Sequence, residues 1–135
     1  MSEVEYTIVV YTDGSCMPNP GKGGWAFVAL DKDGEEVEIF GGDKKTTNNI
    51  MEMTAVMEAL RYFWFETNFR IFSDSQYVIN CAQGKWKRKK NQELWKEFDT
   101  LANGKNIEWV WIRGHSGNPY NERVDRLAKE GVNFM

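Results

Sequence analysis

Four acids carry the first chemical signal in this sequence. Asp13 follows the apolar run Ile8-Val9-Val10 and precedes Gly14, so a strand over residues 5–12, rich in β-branched and aromatic types, delivers a carboxylate to its end. Asp74 closes a second such run, Phe69 to Ser73. Ligand sites in open α/β sheets favour that carboxyl edge. Glu52 falls in a helical pattern, on the row that continues through Val56, Ala59 and Phe63, where an apolar surface rarely admits a carboxylate without a partner. Asp125 lies between Arg123 and Arg126 near the C-terminus.

Each acid has an ordinary explanation when taken alone. Asp13-Gly14 is a common turn signal, although the loop that follows is too long for a tight hairpin. Glu52 stands three residues after Asn49 and could complete a capping box with it. Asp74 could cap the helix beyond it, and Asp125 could pair with Lys129 on a solvated helix face. Jointly these explanations weaken, because two strand ends and two helices would bring unpaired carboxylates to one sheet edge, where they repel one another. Such a cluster calls for a cation. With a single His in the chain and no Cys-x-x-Cys pair, the donors are hard oxygens, which suit Mg²⁺ or Mn²⁺ better than zinc. Two such ions about 4 Å apart activate a water and stabilise a leaving oxygen in phosphodiester hydrolysis.

The elements that must position these acids are legible in the spacing. Trp25–Leu30 reads as a second strand, after a turn-rich loop over residues 17–24, and Asp31-Lys32-Asp33-Gly34 turns the chain into a third strand over residues 36–42. From Asn49 the period changes, with Met53, Val56, Met57, Leu60 and Trp64 forming one face of a long helix. A strand over 69–74 leads to a short helix from Gln76 to Gln83. Asn91 is expected to cap a further helix bearing Leu94, Trp95, Phe98 and Leu101. Ile107 to Ile112 alternates as a fifth strand, and Asn118-Pro119 begins a last helix that is expected to stop at Gly131. Strands followed by alternating helices and strands predict an α/β domain with a mixed sheet.

At 135 residues, with 41% hydrophobic and 14% aromatic content, the chain reads as one ordered domain spanning 1–135. Cys16 and Cys81 are isolated thiols, and the N-terminus has no basic and apolar leader pattern, so the expected compartment is the cytoplasm, with no membrane segment. The net charge is −3, yet the run Lys85-Trp86-Lys87-Arg88-Lys89-Lys90 concentrates positive charge around a Trp. A charge run is usually a solvated face; the Trp within it favours contact with nucleic acid.

Taken in order, four motifs resemble type 1 ribonuclease H, the endonucleases that cut the RNA strand of an RNA–DNA hybrid. They are Thr12-Asp13-Gly14-Ser15-Cys16 with Asn19-Pro20-Gly21; Thr46-Thr47-Asn48-Asn49 with Met51-Glu52; Ser73-Asp74-Ser75-Gln76; and Gly114-His115-Ser116-Gly117 with Asn121-Glu122 and Asp125-Arg126-Leu127-Ala128. The resemblance implies a ribonuclease H-like fold, a five-stranded mixed sheet in the order 3-2-1-4-5 with helices on both faces. It implies that Asp13, Glu52, Asp74 and Asp125 bind two Mg²⁺ ions, with Mn²⁺ able to substitute. It makes His115 the mobile residue that assists proton transfer or product release, although a lone His is more often a surface or structural residue. The products implied carry a 5′-phosphate and a 3′-hydroxyl.

The same resemblance assigns hybrid contacts to Gly14, Ser15, Cys16, Asn19, Thr47, Asn48 and Gln76, with Asn19 and Thr47 near a DNA phosphate. The 2′-hydroxyl is the handle that distinguishes the RNA strand. Lys85, Trp86, Lys87 and Arg88 are further candidates for substrate contact. Many family members carry an extra helix and a basic protrusion here, and in this chain that insert is compressed to about residues 81–92. No separate N-terminal hybrid-binding domain is expected before Glu5, and the expected partner is the hybrid duplex alone, bound by a monomer without an obligatory protein partner. Other readings are a catalytically silent hybrid-binding module, a released reverse-transcriptase domain, and a 3′ exonuclease or junction resolvase on the same fold.

Overall fold

The computed structural model describes residues 7–114 and 116–135, so the His115 expectation lies outside the described residues, as does the start of the predicted first strand. The elements run β1 (Ile8–Cys16), β2 (Gly21–Leu30), β3 (Glu36–Thr46), α1 (Asn48–Tyr62), β4 (Asn68–Ser73), α2 (Gln76–Ala82), α3 (Gln92–Ala102), β5 (Asn106–Trp111) and α4 (Pro119–Asn133). They form one five-stranded sheet in the order β3-β2-β1-β4-β5. The β1–β2 and β2–β3 pairs are antiparallel, whereas β1–β4 and β4–β5 are parallel, which makes the sheet mixed as expected.

Alternation along the strands builds two apolar layers. Ile8, Val10, Phe27, Phe69 and Ile71 face α1, α2 and α3, and pack with Val56, Leu60, Val78, Trp95 and Phe98. On the opposite face, Ala26 and Val28 pack with Val124, Leu127 and Ala128 of α4. Helices therefore cover both faces.

The first strand corrects the sequence reading. It does not end at Asp13; it continues to Cys16, with Asp13 opposite Ala26 and Cys16 opposite Gly23. The strand outruns its parallel neighbour, because β1 and β4 pair only as far as Tyr11 and Phe72. Asp13 thus still projects beyond the parallel part of the sheet, carried there by a hairpin rather than by a strand end. The glycines of β2 conceal this pairing, since glycine has little strand propensity. Their bareness is needed here: a Cβ on Gly24 would collide with the Ala128 carbonyl, and one on Gly131 with the Gly41 carbonyl. α4 lies that close to the sheet, and Gly131 sits inside a helix that runs on to Asn133 instead of ending it.

Helix boundaries shift for local reasons. Thr47, not Asn49, caps α1, its Oγ1 accepting from Ile50 N at 3.2 Å, so Glu52 has no capping role. α1 stops at Tyr62, which leaves Trp64 off its apolar face and 73% exposed. Ser75 caps α2 in place of Asp74, leaving the Asp74 carboxylate for other work. Asn91 is left-handed (φ 59) and makes no side-chain cap; its Nδ2 donates to the Tyr77 hydroxyl at 3.0 Å. Asn118 does cap α4, with Oδ1 accepting from Tyr120 N and Asn121 N, each at 3.0 Å, and Pro119 opens the helix. No described helix is long and apolar enough to cross a membrane.

Candidate active site

Three of the four acids meet. One carboxylate oxygen from each of Asp13, Glu52 and Asp74 lies within 4.8 Å of the others. They arrive from β1, from the second turn of α1, and from the residue after β4. Their convergence depends on Gly14: a Cβ there would strike the backbone of Met51 and Glu52, so only glycine lets the start of α1 press against β1. On the other side, a Cβ on Gly114 would come 2.9 Å from Asp74 Oδ2, so the segment after β5 closes against that carboxylate. Thr12 Oγ1 donates to the Phe72 carbonyl at 3.0 Å and ties β1 to the end of β4.

Burial and mutual repulsion act together on these acids. Asp13 is 4% exposed, and its carboxyl is pushed up to about 9, first by desolvation and then by the charge of Asp74 and by hydrogen bonding and charge from Asp125. Glu52 is also held well above the ordinary carboxylate range, by burial first and by Asp13 and Asp74 next. The Gly14 main-chain N–H beside the two carboxylates opposes both shifts. Among the described residues, Glu52 Oε1 is buried without a hydrogen-bond partner.

A buried carboxylate oxygen without a donor is destabilising unless a cation or water meets it. Three hard oxygens within 4.8 Å, on three acids of which Glu52 carries an orphaned Oε1, fit a divalent cation such as Mg²⁺ or Mn²⁺. Asp125 stands outside the trio, at the rim, where α4 presents it near enough to raise the Asp13 pKa. Its Oδ2 also lies 3.2 Å from Lys129 Nζ, the helical pair anticipated from sequence. The two accounts of Asp125 coexist.

The family model described as RNase H matches residues 5–133. The chain belongs to the RNase H family. It is 47% identical over 138 aligned residues to a "Ribonuclease H" of Cupriavidus necator, covering 93% of this chain and 94% of that one. It is 43% identical over 139 aligned residues to a "Ribonuclease HI" of Neisseria meningitidis serogroup A, with 93% and 95% covered. Among solved structures, LC11-RNase H1 in complex with an RNA/DNA hybrid superposes with a TM-score of 0.82 at 25% identity, over 94% of this chain and 97% of that one. Membership makes the chain a nuclease, and the acidic cluster fits metal dependence.

Within this RNase H domain the remaining candidate residues fall into two groups. Gly14, Ser15 and Cys16 form the end of β1 beside the trio, and Asn19 Oδ1 accepts from Asn48 N at 3.1 Å, joining the loop after β1 to the start of α1 and its cap Thr47. Cys16 is buried, with Sγ 3.3 Å from the Pro18 carbonyl and 3.4 Å from the Thr46 carbonyl; its side chain braces this corner from within. Gln76 opens α2 next to Asp74 and is exposed.

The second group is the basic run between α2 and α3. Lys85 N and Trp86 N donate to the Asn80 carbonyl at 2.9 and 3.2 Å, folding the run back on α2, and Lys85 lines a groove with Gln76, Asn80, Gln83 and Trp111. Lys85, Trp86, Lys87, Lys89 and Lys90 are exposed. Arg88 differs. Its guanidinium lies 4.4 Å from the centre of the Trp95 ring, donates to the Cys81 carbonyl at 3.0 Å, and engages both oxygens of Asp99 at 2.8 and 3.0 Å. Arg88 is the strut that fastens the run to α3. Sequence counted it with its neighbours because charge alone cannot reveal a stacked arginine.

Proposed function

We propose that this chain is an endonuclease that hydrolyses the RNA strand of RNA–DNA hybrids, leaving 5′-phosphate and 3′-hydroxyl ends. The observation that carries the reading is the convergence of Asp13, Glu52 and Asp74 within 4.8 Å, with Glu52 Oε1 orphaned, in a chain of the RNase H family. The hybrid as substrate is supported by the likeness to LC11-RNase H1, whose solved structure holds an RNA/DNA hybrid.

In this reading Asp13, Glu52 and Asp74, with Asp125 at the rim, hold two Mg²⁺ ions, which when bound supply an activated water and stabilisation of the leaving oxygen. Water adds to the scissile phosphorus, the bond from phosphorus to the 3′ oxygen breaks, and that oxygen takes up a proton. His115, the only His in the chain, is proposed to move protons near the departing oxygen. Gly14, Ser15, Asn19, Thr47, Asn48, Gln76 and the main chain of Cys16, whose side chain is buried, are proposed to line the hybrid groove, with the 2′-hydroxyl selecting the RNA strand. Lys85, Trp86 and Lys87 extend the groove with charge and a stacking surface. The protein is proposed to act as a cytoplasmic monomer.

The test offers end-labelled hybrid, single-stranded RNA, RNA duplex, DNA duplex and four-way junction side by side, then reads the product ends by enzymatic labelling. The reading expects internal cuts confined to the RNA strand of the hybrid, new 5′ ends that accept label only after phosphate removal, and new 3′ ends that accept it directly. Tight hybrid binding without any metal-dependent cutting would instead make the chain a binding module.

A further inference from the structure

Trp111 is exposed and polar-bonded at once, and its bond runs to the acidic trio. It is the last residue of β5, pairs with Ser73, and is 47% exposed. Its indole Nε1 donates to the Asp74 main-chain carbonyl at 3.2 Å. Asp74 lies one residue beyond the end of β4 and one before the Ser75 cap of α2, so the strand ladder has already stopped when the chain reaches it. The neighbours of Trp111 extend the same grip: Ile112 N donates to the Ser73 carbonyl at 3.0 Å, and the Gly114 backbone closes on the Asp74 carboxylate.

We infer that Trp111 is a positioning residue for Asp74, its indole N–H holding the Asp74 main chain so that the carboxylate stays beside Asp13 and Glu52. The inference rests on the reading of the trio as a divalent-metal site. Three carboxylates at this separation repel one another, and the member that sits at a strand-to-helix junction is the one its backbone must restrain. Groups that orient a ligand without touching the metal commonly set its affinity. The ring of Trp111 also borders the groove formed with Gln76, Asn80, Gln83 and Lys85, which places it between the proposed hybrid path and the metal ligand.

Trp111→Phe keeps a ring and deletes the N–H, whereas Trp111→His keeps a ring donor. The readouts are calorimetric titration of the substrate-free protein with Mn²⁺ near neutral pH, the Tm in EDTA, and the KM for hybrid. The expected result for Trp111→Phe is a loss of Mn²⁺ affinity of about 10-fold. The Mg²⁺ needed for half-maximal cleavage rises by the same factor, the KM at saturating metal is unchanged, and Trp111→His recovers part of the affinity. Unchanged Mn²⁺ affinity in Trp111→Phe overturns the inference, as does a raised KM with metal affinity intact, which would make the ring a substrate contact only. Should Trp111→Phe fail to fold, Trp111→His is compared with Trp111→Leu, and equal Mn²⁺ affinities overturn the inference. If the wild-type chain binds no Mn²⁺, the inference falls together with the metal reading. If it binds Mn²⁺ but leaves hybrid whole, the substrate reading fails while the calorimetric comparison still decides the role of Trp111.

Discussion

Asp13 and Glu52 are carboxylates kept where a carboxylate is least comfortable, and that fixes how the metal-free protein responds to pH. Both are raised in the folded state, Asp13 from the ordinary 3.8 to about 9. A raised acid stabilises the fold fully below its unfolded pKa, and that contribution is lost as pH climbs through the folded value. In EDTA the Tm is therefore expected to fall between about pH 4 and pH 9 from these groups. Asp13→Asn removes the Asp13 share. It should raise the Tm in EDTA at pH 8, by about 3–5 °C for each ~1 kcal/mol recovered, and do little at pH 4. A Tm in EDTA that is indifferent to pH, in wild type and variant alike, would contradict this account of the site. Asp74→Asn keeps the shape of the side chain and removes a charge from the proposed metal site; cleavage should fall on the order of 10³-fold with hybrid binding retained. Steady-state kinetics beside a binding assay in Ca²⁺ or EDTA decides it. Turnover unchanged at saturating Mg²⁺ would remove Asp74 from the mechanism.

Elements bring the acids together through close backbone contact, and this is where the sequence was least legible. The row Glu52, Val56, Ala59, Phe63 was readable from period alone, and it did mark the face of α1 that meets the sheet. What period could not show is that Thr47 caps the helix or that β1 runs past Asp13, because Gly14, Gly23 and Gly24 look like turn residues until α1 and α4 are packed against them. Gly14→Ala tests that packing. The added methyl must displace the start of α1, which is expected to destabilise the protein by about 1–3 kcal/mol and to move Glu52 away from Asp13, lowering activity even at a temperature where the variant is folded. Thermal melts and cleavage rates measured together would check this, and a stable, fully active variant would contradict it.

The basic run divides in the same way. Arg88, whose side chain is only partly open to solvent, stacks on Trp95 and pairs with the exposed Asp99, so Arg88→Ala should lower stability by about 1–2 kcal/mol. Neutralising Lys87, Lys89 and Lys90 together should leave the Tm nearly unchanged and flatten the salt dependence of hybrid binding, by up to about 0.9 in slope for each phosphate that no longer meets a lysine. A salt slope identical to wild type would make these lysines a solvated face and nothing more.

Across the whole molecule, charge and topology explain how an acidic chain could handle a polyanion. The net charge is −3, and the acids proposed to carry the chemistry are led by a trio gathered within 4.8 Å, while the lysines of the run between α2 and α3 are exposed. The strand order was implied only by the family resemblance that motifs along most of the chain carry, whereas the packing of Arg88, the reach of Trp111 to Asp74 and the separation of Asp125 from the trio depend on contacts that no linear pattern encodes. The account stands on one site performing one reaction, so the deciding measurement is cleavage of an RNA–DNA hybrid, labelled on each strand in turn, by the purified protein in Mg²⁺, Mn²⁺ or EDTA. It predicts internal breaks in the RNA strand with either metal, an intact DNA strand, and no breaks in EDTA. A hybrid left whole in both metals, or cut equally well in EDTA, would contradict it.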